Sequence, residues 1–156
     1  MEIKTNVMRI LDKQKIRYTP HFYDNKDGRI DGVAVAEKIG KPTDCVFKTL
    51  VTRGQGGYYV FCIPVDKELD LKKCARAAGV KSVEMIAVKE MLSVTGYIRG
   101  GCSPVGMKKQ FVTVFHSSAM DLEEFYVSAG KVGRQIRVNP KTLCEFVGAK
   151  FENIIV

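Results

Sequence analysis

The sequence is poor in the residues that build metal sites and disulfide frameworks. It has no tryptophan, two histidines (His21 and His116) and five cysteines, an odd number with no Cys-x-x-Cys pair. This excludes the common zinc spacings and the disulfide-stapled class of small secreted domains. We therefore predict no metal and no cofactor. The cysteines are expected to be free thiols, buried or incidental, in a reducing compartment: Cys45, Cys62, Cys74, Cys102 and Cys144.

Long apolar runs and low-complexity segments are also missing. No stretch approaches the roughly 20 apolar residues of a membrane span. The opening MEIKTNVMRILDKQK is charged and periodic, unlike a secretory signal. We therefore expect no membrane partner and a cytoplasmic protein. A chain of 156 residues without a linker is typical of one domain, predicted here as residues 1–156.

Basic residues are present in clear excess. The chain has 25 Lys and Arg against 17 Asp and Glu, a net charge of +8. Such a balance favours a polyanionic partner, with nucleic acid first. The basic residues are spread along the chain, and no common RNA-recognition motif is visible.

The hydrophobic pattern predicts an α+β fold with a mixed sheet. Apolar runs on either side of Gly-Gln-Gly-Gly at 54–57 indicate a hairpin. Asp31 and Asp70 are placed to cap helices that end at Gly40 and Gly79. Helices are predicted after Thr5 or Asn6, at 32–39, 71–78, about 88–94 and 140–148, and strands at 46–52, 58–64, 110–115, 124–130, 134–138 and 152–156.

Lys48 lies in the middle of a predicted strand, in the run FKTLV at 47–51. The strand pattern alone favours a side chain on a solvated sheet face. The alternative is a side chain that enters a pocket, where its ammonium would be a ready hydrogen-bond donor.

The segment YVSAGKVGRQI at 126–136 is predicted as strand, glycine-rich turn and strand. Ser128, Gly130, Lys131 and Gly133 are typical of an anion-binding turn with a lysine beside it. The segment is not a P-loop, because GxxxxGK[ST] is absent and no helix follows. A simple hairpin, with glycines at positive φ, is the alternative.

The loop GYIRGGCSPVGMKK at 96–109 admits three interpretations. A phosphate cradle and a nucleophile elbow both lack their sequence signatures, and no base is obviously paired with Cys102 or Ser103. A structural loop needs only turn chemistry. Its exposed N–H groups could nevertheless bind a carbonyl oxygen or an oxyanion. The two histidines are interpreted as structural or surface residues.

Four motifs together are similar to the YbaK/ProX family of aminoacyl-tRNA deacylases. They are FKTLV at 47–51, CIPVDKELDLKKCARAAGVKSVEM at 62–85, GYIRGGCSPVGMKK at 96–109 and VSAGKVG at 127–133. The resemblance spans nearly the whole chain, with the motifs in order and at the right spacing. The resemblance implies a mixed, partly barrel-like β-sheet flanked by helices. It also implies hydrolysis of the ester that joins an amino acid to the 3′ end of tRNA, with cysteine on tRNA(Pro) as the substrate.

The same resemblance implies the site residues. Lys48 matches the functional lysine of the family. The loop Gly100, Gly101, Ser103 and Pro104 and the turn Ser128, Gly130 and Lys131 match its substrate-binding segments, and Tyr23 matches a tyrosine near its pocket. One departure is Thr142, where relatives often carry an acidic residue, so no acid is assigned there.

In this family the cysteine thiol of the substrate attacks its own ester, so the protein supplies no nucleophile. On that basis we hypothesise three roles: the Gly100 and Gly101 N–H groups hold the carbonyl oxygen, Lys48 contacts the α-amino, ribose or terminal phosphate region of the substrate, and Lys131 with the basic surface binds tRNA phosphates. The resemblance further implies that prolyl-tRNA synthetase supplies tRNA selectivity. Two alternatives stay open: a deacylase that prefers alanine or another small residue, and a non-catalytic tRNA- or nucleotide-binding module.

Overall fold

The computed structural model describes residues 4–156, which alternate between helices and strands. Five α-helices span Asn6–Lys13 (α1), Gly32–Ile39 (α2), Leu71–Ala78 (α3), Met91–Thr95 (α4) and Pro140–Val147 (α5). Eight strands span Tyr18–Phe22 (β1), Phe47–Gly54 (β2), Gly57–Pro64 (β3), Val83–Met85 (β4), Val112–His116 (β5), Phe125–Ser128 (β6), Arg134–Val138 (β7) and Lys150–Glu152 (β8). Short 3-10 helices lie at Thr43–Cys45, Val88–Glu90 and Ser117–Asp121.

The predicted helix caps are confirmed. Asp31 Oδ1 accepts the Ala34 N–H at 3.0 Å, and Asp70 Oδ1 accepts the N–H groups of the first turn of α3. α2 and α3 end at Gly40 and Gly79, which adopt φ of 69° and 73°. An aspartate acceptor at one end and a left-handed glycine at the other define both helices.

The strands form two sheets that meet at one point. One sheet is antiparallel, in the order β1-β7-β6, and the other is mixed, in the order β4-β2-β3-β5-β8. A parallel bridge between Val46 and Tyr126 joins the start of β2 to β6. The prediction of an α+β fold with a mixed sheet flanked by helices is confirmed, and the bridge explains its partly barrel-like character.

Two details of the prediction were wrong. The C-terminal run 152–156 is not a strand: β8 lies earlier, and Ile155 makes only an isolated bridge to Leu69. The short strand β4 was missed because the three-residue run is too brief for a two-residue period to stand out. Neither error touches the segments that carry the motifs.

The main core packs α1 and α5 against one face of the antiparallel sheet. Val127 and Ile136 are completely buried there, beside Phe115, Phe125 and Leu143. Because side chains alternate along a strand, the other face of β6 and β7 carries Ser128 and Gln135. This second face points away from the apolar core. None of the helices within residues 4–156 combines the length and apolar character needed to cross a membrane.

Candidate active site

A cavity of about 280 Å³ lies where the two sheets meet. Its walls come from the start of α2, from β2, from α4, from the loop after α4, and from β6 and β7. The lining residues are Ile30, Asp31, Gly32, Val35, Val46, Phe47, Lys48, Thr49, Leu50, Val65, Met91, Arg99, Gly100, Cys102, Ser128 and Gln135. Three separate sequence motifs therefore converge on one cavity.

A larger groove of about 740 Å³ runs along α1 and β1. It is open and is lined largely by charged and polar residues such as Lys15, Arg17 and Arg137. None of the motif residues lies in it. We take the smaller cavity as the candidate site because it alone brings the sequence motifs together.

Lys48 lies in this cavity, and not on an open solvated sheet face. It is half-buried in β2, opposite Ile63 of β3. Among residues 4–156, neither Lys48 nor the neighbouring cation Arg99 has an acidic partner within ion-pair distance. The pocket interpretation of Lys48 is therefore the one that the structure supports.

The loop after α4 supplies backbone donors, but not the pair that the resemblance implied. The Gly101 N–H already donates to the Ile98 carbonyl at 3.0 Å, so it cannot hold a substrate oxygen in this conformation. Gly100 adopts φ of 86° and lines the cavity. Within the described chain, no acceptor is found for the N–H groups of Gly100 and Cys102. Among residues 4–156, the N–H of Arg99, the third cavity-lining residue of this loop, likewise has no acceptor.

Gly101 has a different task, which is close packing between two loops. A Cβ on Gly101 would lie 3.2 Å from Val132 N and 3.3 Å from Lys131 Cα. The loop after α4 thus rests on the backbone of the turn between β6 and β7. A glycine at 101 lets the two segments approach and fixes the height of Gly100 above the cavity.

Ser103 and Pro104 do not line the cavity. Both are buried within the loop, and Ser103 Oγ accepts the Val105 N–H at 3.2 Å. A serine that accepts a hydrogen bond two residues ahead is typical of a local turn. The structure therefore does not bring these two residues to the cavity, and their role in substrate binding stays a prediction.

The turn between β6 and β7 contributes one of its three predicted residues. Ser128 lines the cavity, and its Oγ accepts the Gly130 N–H at 3.1 Å. Gly130 adopts φ of 95° and packs against Val7 and Tyr97, away from the cavity. Lys131 is exposed outside it. Because Ser128 uses the Gly130 donor, the turn is a hairpin and not an anion cradle in this conformation.

The predicted site residue Tyr23, and Thr142, to which no role was assigned, lie outside the cavity lining. Tyr23 is 8% exposed, its N–H donates to the Gly133 carbonyl at 3.0 Å, and its hydroxyl is buried without a partner. Thr142 lies in the first turn of α5, where its N–H donates to Asn139 Oδ1 at 2.9 Å. Thr142 therefore takes part in a helix cap.

The cavity also contains residues that the sequence analysis missed. Gln135, in RQIRV, is 5% exposed, and its Oε1 has no hydrogen-bond partner. Arg99 and Met91 complete the wall beside the loop. Gln135 lies between Arg134 and the core residue Ile136 with no motif around it, so no pattern in the sequence identified it.

None of the buried thiols or histidines is set up as a nucleophile or base in the cavity. Burial raises the pKa of the Cys102 thiol to about 12, so it is protonated near neutral pH. His116 Nδ1 accepts the Ile154 N–H at 3.3 Å, which confirms a structural role. His21 packs edge-on against Tyr126, and burial, with Arg137 and Lys41 nearby, lowers its pKa.

Comparisons with known proteins agree with this picture. The chain is 43% identical over 152 residues to EbsC of Enterococcus faecalis, assigned as a Cys-tRNA(Pro)/Cys-tRNA(Cys) deacylase, and the match covers 97% of this chain and 93% of that protein. The proline–tRNA ligase of Thermosipho africanus is 27% identical to this chain over 117 residues. The matched segment makes up 69% of this chain and 21% of the ligase.

Two solved structures show the same fold at low sequence identity. A protein assigned as a trans-editing enzyme for prolyl tRNA synthetase superposes with a TM-score of 0.83 at 20% identity, covering 99% of both chains. The hypothetical protein APE2540 superposes with a TM-score of 0.88 at 22% identity over 97% of this chain and 100% of that chain. The family described as "Aminoacyl-tRNA editing domain" matches residues 31–146, so this chain belongs to that family.

Proposed function

We propose that this chain, acting as one domain over residues 1–156, hydrolyses the 3′ ester of mischarged tRNA and that Cys-tRNA(Pro) is its substrate. The observation that carries the proposal is a single cavity lined by Lys48, Arg99, Gly100 and Cys102, in which the last two have N–H groups without an acceptor among residues 4–156. Cations and backbone donors suit an ester whose carbonyl oxygen gains negative charge during reaction.

The size of the cavity supports an aminoacyl end as the bound group. Its volume of about 280 Å³ is at the lower limit for ligand pockets. Apolar side chains such as Val35, Val46 and Phe47 form much of the wall. Such a site takes a small side chain with its ester and leaves the nucleotides of tRNA at the entrance.

The chemistry that fits this cavity uses the thiol of the substrate. The cysteine sulfur attacks its own ester carbonyl, a C–S bond forms, and the C–O bond to the ribose breaks. The ribose oxygen leaves with the thiol proton, which frees the tRNA and leaves a four-membered thiolactone that water opens to cysteine. Positioning of sulfur and carbonyl can supply on the order of 7–11 kcal/mol. The Cys102 thiol, with its raised pKa, is a poor nucleophile by comparison.

Three cavity residues and the basic surface have roles in this mechanism. The Gly100 N–H, together with that of Cys102, holds the carbonyl oxygen as charge develops. Lys48 contacts the substrate at its ribose or terminal phosphate. Lys131 and the other exposed basic residues attract tRNA phosphates, and the net charge of +8 makes that attraction sensitive to salt.

Selectivity for tRNA(Pro) is assigned to a partner. Attraction between basic residues and phosphates does not read sequence. We propose that prolyl-tRNA synthetase, in the cytoplasm, presents the mischarged tRNA. The likeness to segments of proline–tRNA ligases supports this partner.

A panel of charged tRNA(Pro) species tests the proposal. We expect rapid release of cysteine, slow release of serine, which lacks the sulfur, and no release of proline. Faster release of alanine than of cysteine would make the chain a deacylase for small residues. A stable tRNA complex without hydrolysis would make it a binding module. Equal rates for cysteine and serine would indicate direct attack by water.

A further inference from the structure

Gln135 is the buried polar group of the cavity for which the fold provides no partner. It is the second residue of β7, it is 5% exposed, and it lines the cavity. Its Oε1 lacks a hydrogen bond, and none of the side-chain bonds found within residues 4–156 involves its amide. A buried amide without a partner destabilises the folded state, so its presence here calls for a ligand.

The neighbours of Gln135 show the same feature. In the sheet register Gln135 lies opposite Ser128 of β6 on one side and opposite His21 of β1 on the other. His21 Nε2, and Tyr23 Oη just after β1, are also buried without partners. The face of the antiparallel sheet that turns from the core therefore carries unpaired polar atoms in adjacent positions. The opposite face, with Ile136, is apolar and fully packed.

The group that would pair with Gln135 follows from the chemistry of the aminoacyl ester. An amide oxygen accepts hydrogen bonds, and the substrate has three kinds of donor: the α-amino group, the ribose hydroxyl and the thiol. A thiol is a weak donor, and the ribose lies with the nucleotides towards the entrance. Lys48 and Arg99 are themselves donors, so they suit the carbonyl and the phosphates and not an amine.

We propose that the Gln135 amide oxygen accepts a hydrogen bond from the α-amino group of the bound aminoacyl ester, so that the site takes esters with a free amino group and excludes N-acylated ones such as peptidyl-tRNA. This rests on the proposed function of the cavity. No hydrogen bond holds the amide in one orientation, so it can rotate about its terminal bond and present the oxygen to a ligand. An acyl group on the nitrogen removes N–H donors and adds bulk against a buried wall.

The test compares Cys-tRNA(Pro) with N-acetyl-Cys-tRNA(Pro), which keeps the ester and the thiol. Gln135→Met keeps the length of the side chain and removes both polar atoms. We expect it to lower kcat/KM for the free amino substrate roughly 10- to 100-fold, as for one lost buried hydrogen bond. Any preference of Gln135→Met for the free amino substrate over the N-acetyl substrate would then reflect only the size of the acetyl group. Gln135→Glu, which still accepts hydrogen bonds, should keep most of the activity and the preference.

Two controls separate recognition from structure. Gln14→Met changes an exposed glutamine at the end of α1 and should leave both substrates unaffected. Gln135→Met should melt at or above the temperature of the unaltered protein, because it removes an unpaired buried group. A lower melting temperature with unchanged preference would mean a structural role and would overturn the proposal.

Other outcomes also overturn it. Equal losses in Gln135→Met and Gln135→Glu would mean that the amide donates to the carbonyl. Loss of the preference in Asp31→Asn but not in Gln135→Met would assign the amino group to Asp31.

If the unaltered protein hydrolyses no charged tRNA, the proposed function fails. The inference is then judged by calorimetric binding of 3′-deoxy-3′-(L-cysteinylamino)adenosine and its N-acetyl form. Binding that depends on both Gln135 and the free amine supports it, and any other result rejects it.

Discussion

The two faces of the antiparallel sheet have different functions. On one face Val127 and Ile136 are completely buried against α1 and α5. On the other face Ser128 and Gln135 line the cavity, and the Gln135 side-chain oxygen has no hydrogen-bond partner among residues 4–156. In both β6 and β7, a residue that packs in the core is thus followed or preceded directly by a residue that lines the cavity. The comparison teaches that stability and ligand recognition can be altered separately, one residue apart.

The largest expected effect is on the core face. Ile136→Ala should lower the free energy of unfolding by about 2–5 kcal/mol, because it leaves a cavity in a fully packed region. Urea denaturation measures this loss, and activity per folded molecule should stay the same. If Ile136→Ala reduced activity with little change in stability, the two faces would not be separable as described.

Lys48→Ala should give the largest effect on activity. It removes the strand cation of the cavity, and we expect kcat/KM for Cys-tRNA(Pro) to fall by about 100-fold or more. Lys150→Ala, a strand lysine on β8 outside the cavity, is the matched control and should have little effect. Deacylation at the control rate by Lys48→Ala, with the fold intact, would remove Lys48 from the mechanism.

Gly101→Ala tests how the loop is held above the cavity. A methyl group there would press on the backbone of Lys131 and Val132, so that the loop carrying Gly100 must move. We expect roughly a tenfold loss of kcat/KM and a destabilisation of about 1–3 kcal/mol. Gly40→Ala, at a helix end with open space, should destabilise the fold without changing activity. Activity equal to that of Gly40→Ala would leave Gly101 without a positioning role.

The helix ends could be predicted from the sequence because each depends on residues that are close together along the chain. Asp31, Gly40, Asp70 and Gly79 set helix ends that the structure reproduces. The site was harder to predict, because its residues come from strands that are far apart in the sequence and are brought together by the pairing of the strands. The alternation around Lys48 could not reveal that β2 borders a cavity, since the opposite wall comes from β7, far along the chain.

The loop shows the limit of assigning roles by motif. Gly100 and Gly101 are adjacent and equivalent in the sequence, yet one N–H is unbonded while the other donates to Ile98. Ser103 and Pro104 belong to the same motif but are buried and do not line the cavity. Gln135 was missed because a single glutamine in a strand carries no motif. Only the lack of a partner, a property of the folded chain, distinguishes it.

The smallest effect is expected at Cys102, which lines the cavity as a protonated thiol. Cys102→Ser should change kcat/KM less than about threefold, because the attacking sulfur comes with the substrate. Burial raises the Cys102 pKa to about 12 from a model-compound value of 9.0. The Cys102 thiol ionises more readily in the unfolded chain than in the folded one. The stabilisation of the folded state by the protonated thiol is therefore complete below pH 9 and is lost as the pH rises towards 12. Urea midpoints at about pH 8 and about pH 10.5 should differ less in Cys102→Ser than in the unaltered protein. A near-total loss of activity in Cys102→Ser, with an unchanged urea midpoint at pH 8, would instead make this thiol the nucleophile and place the chemistry in the protein.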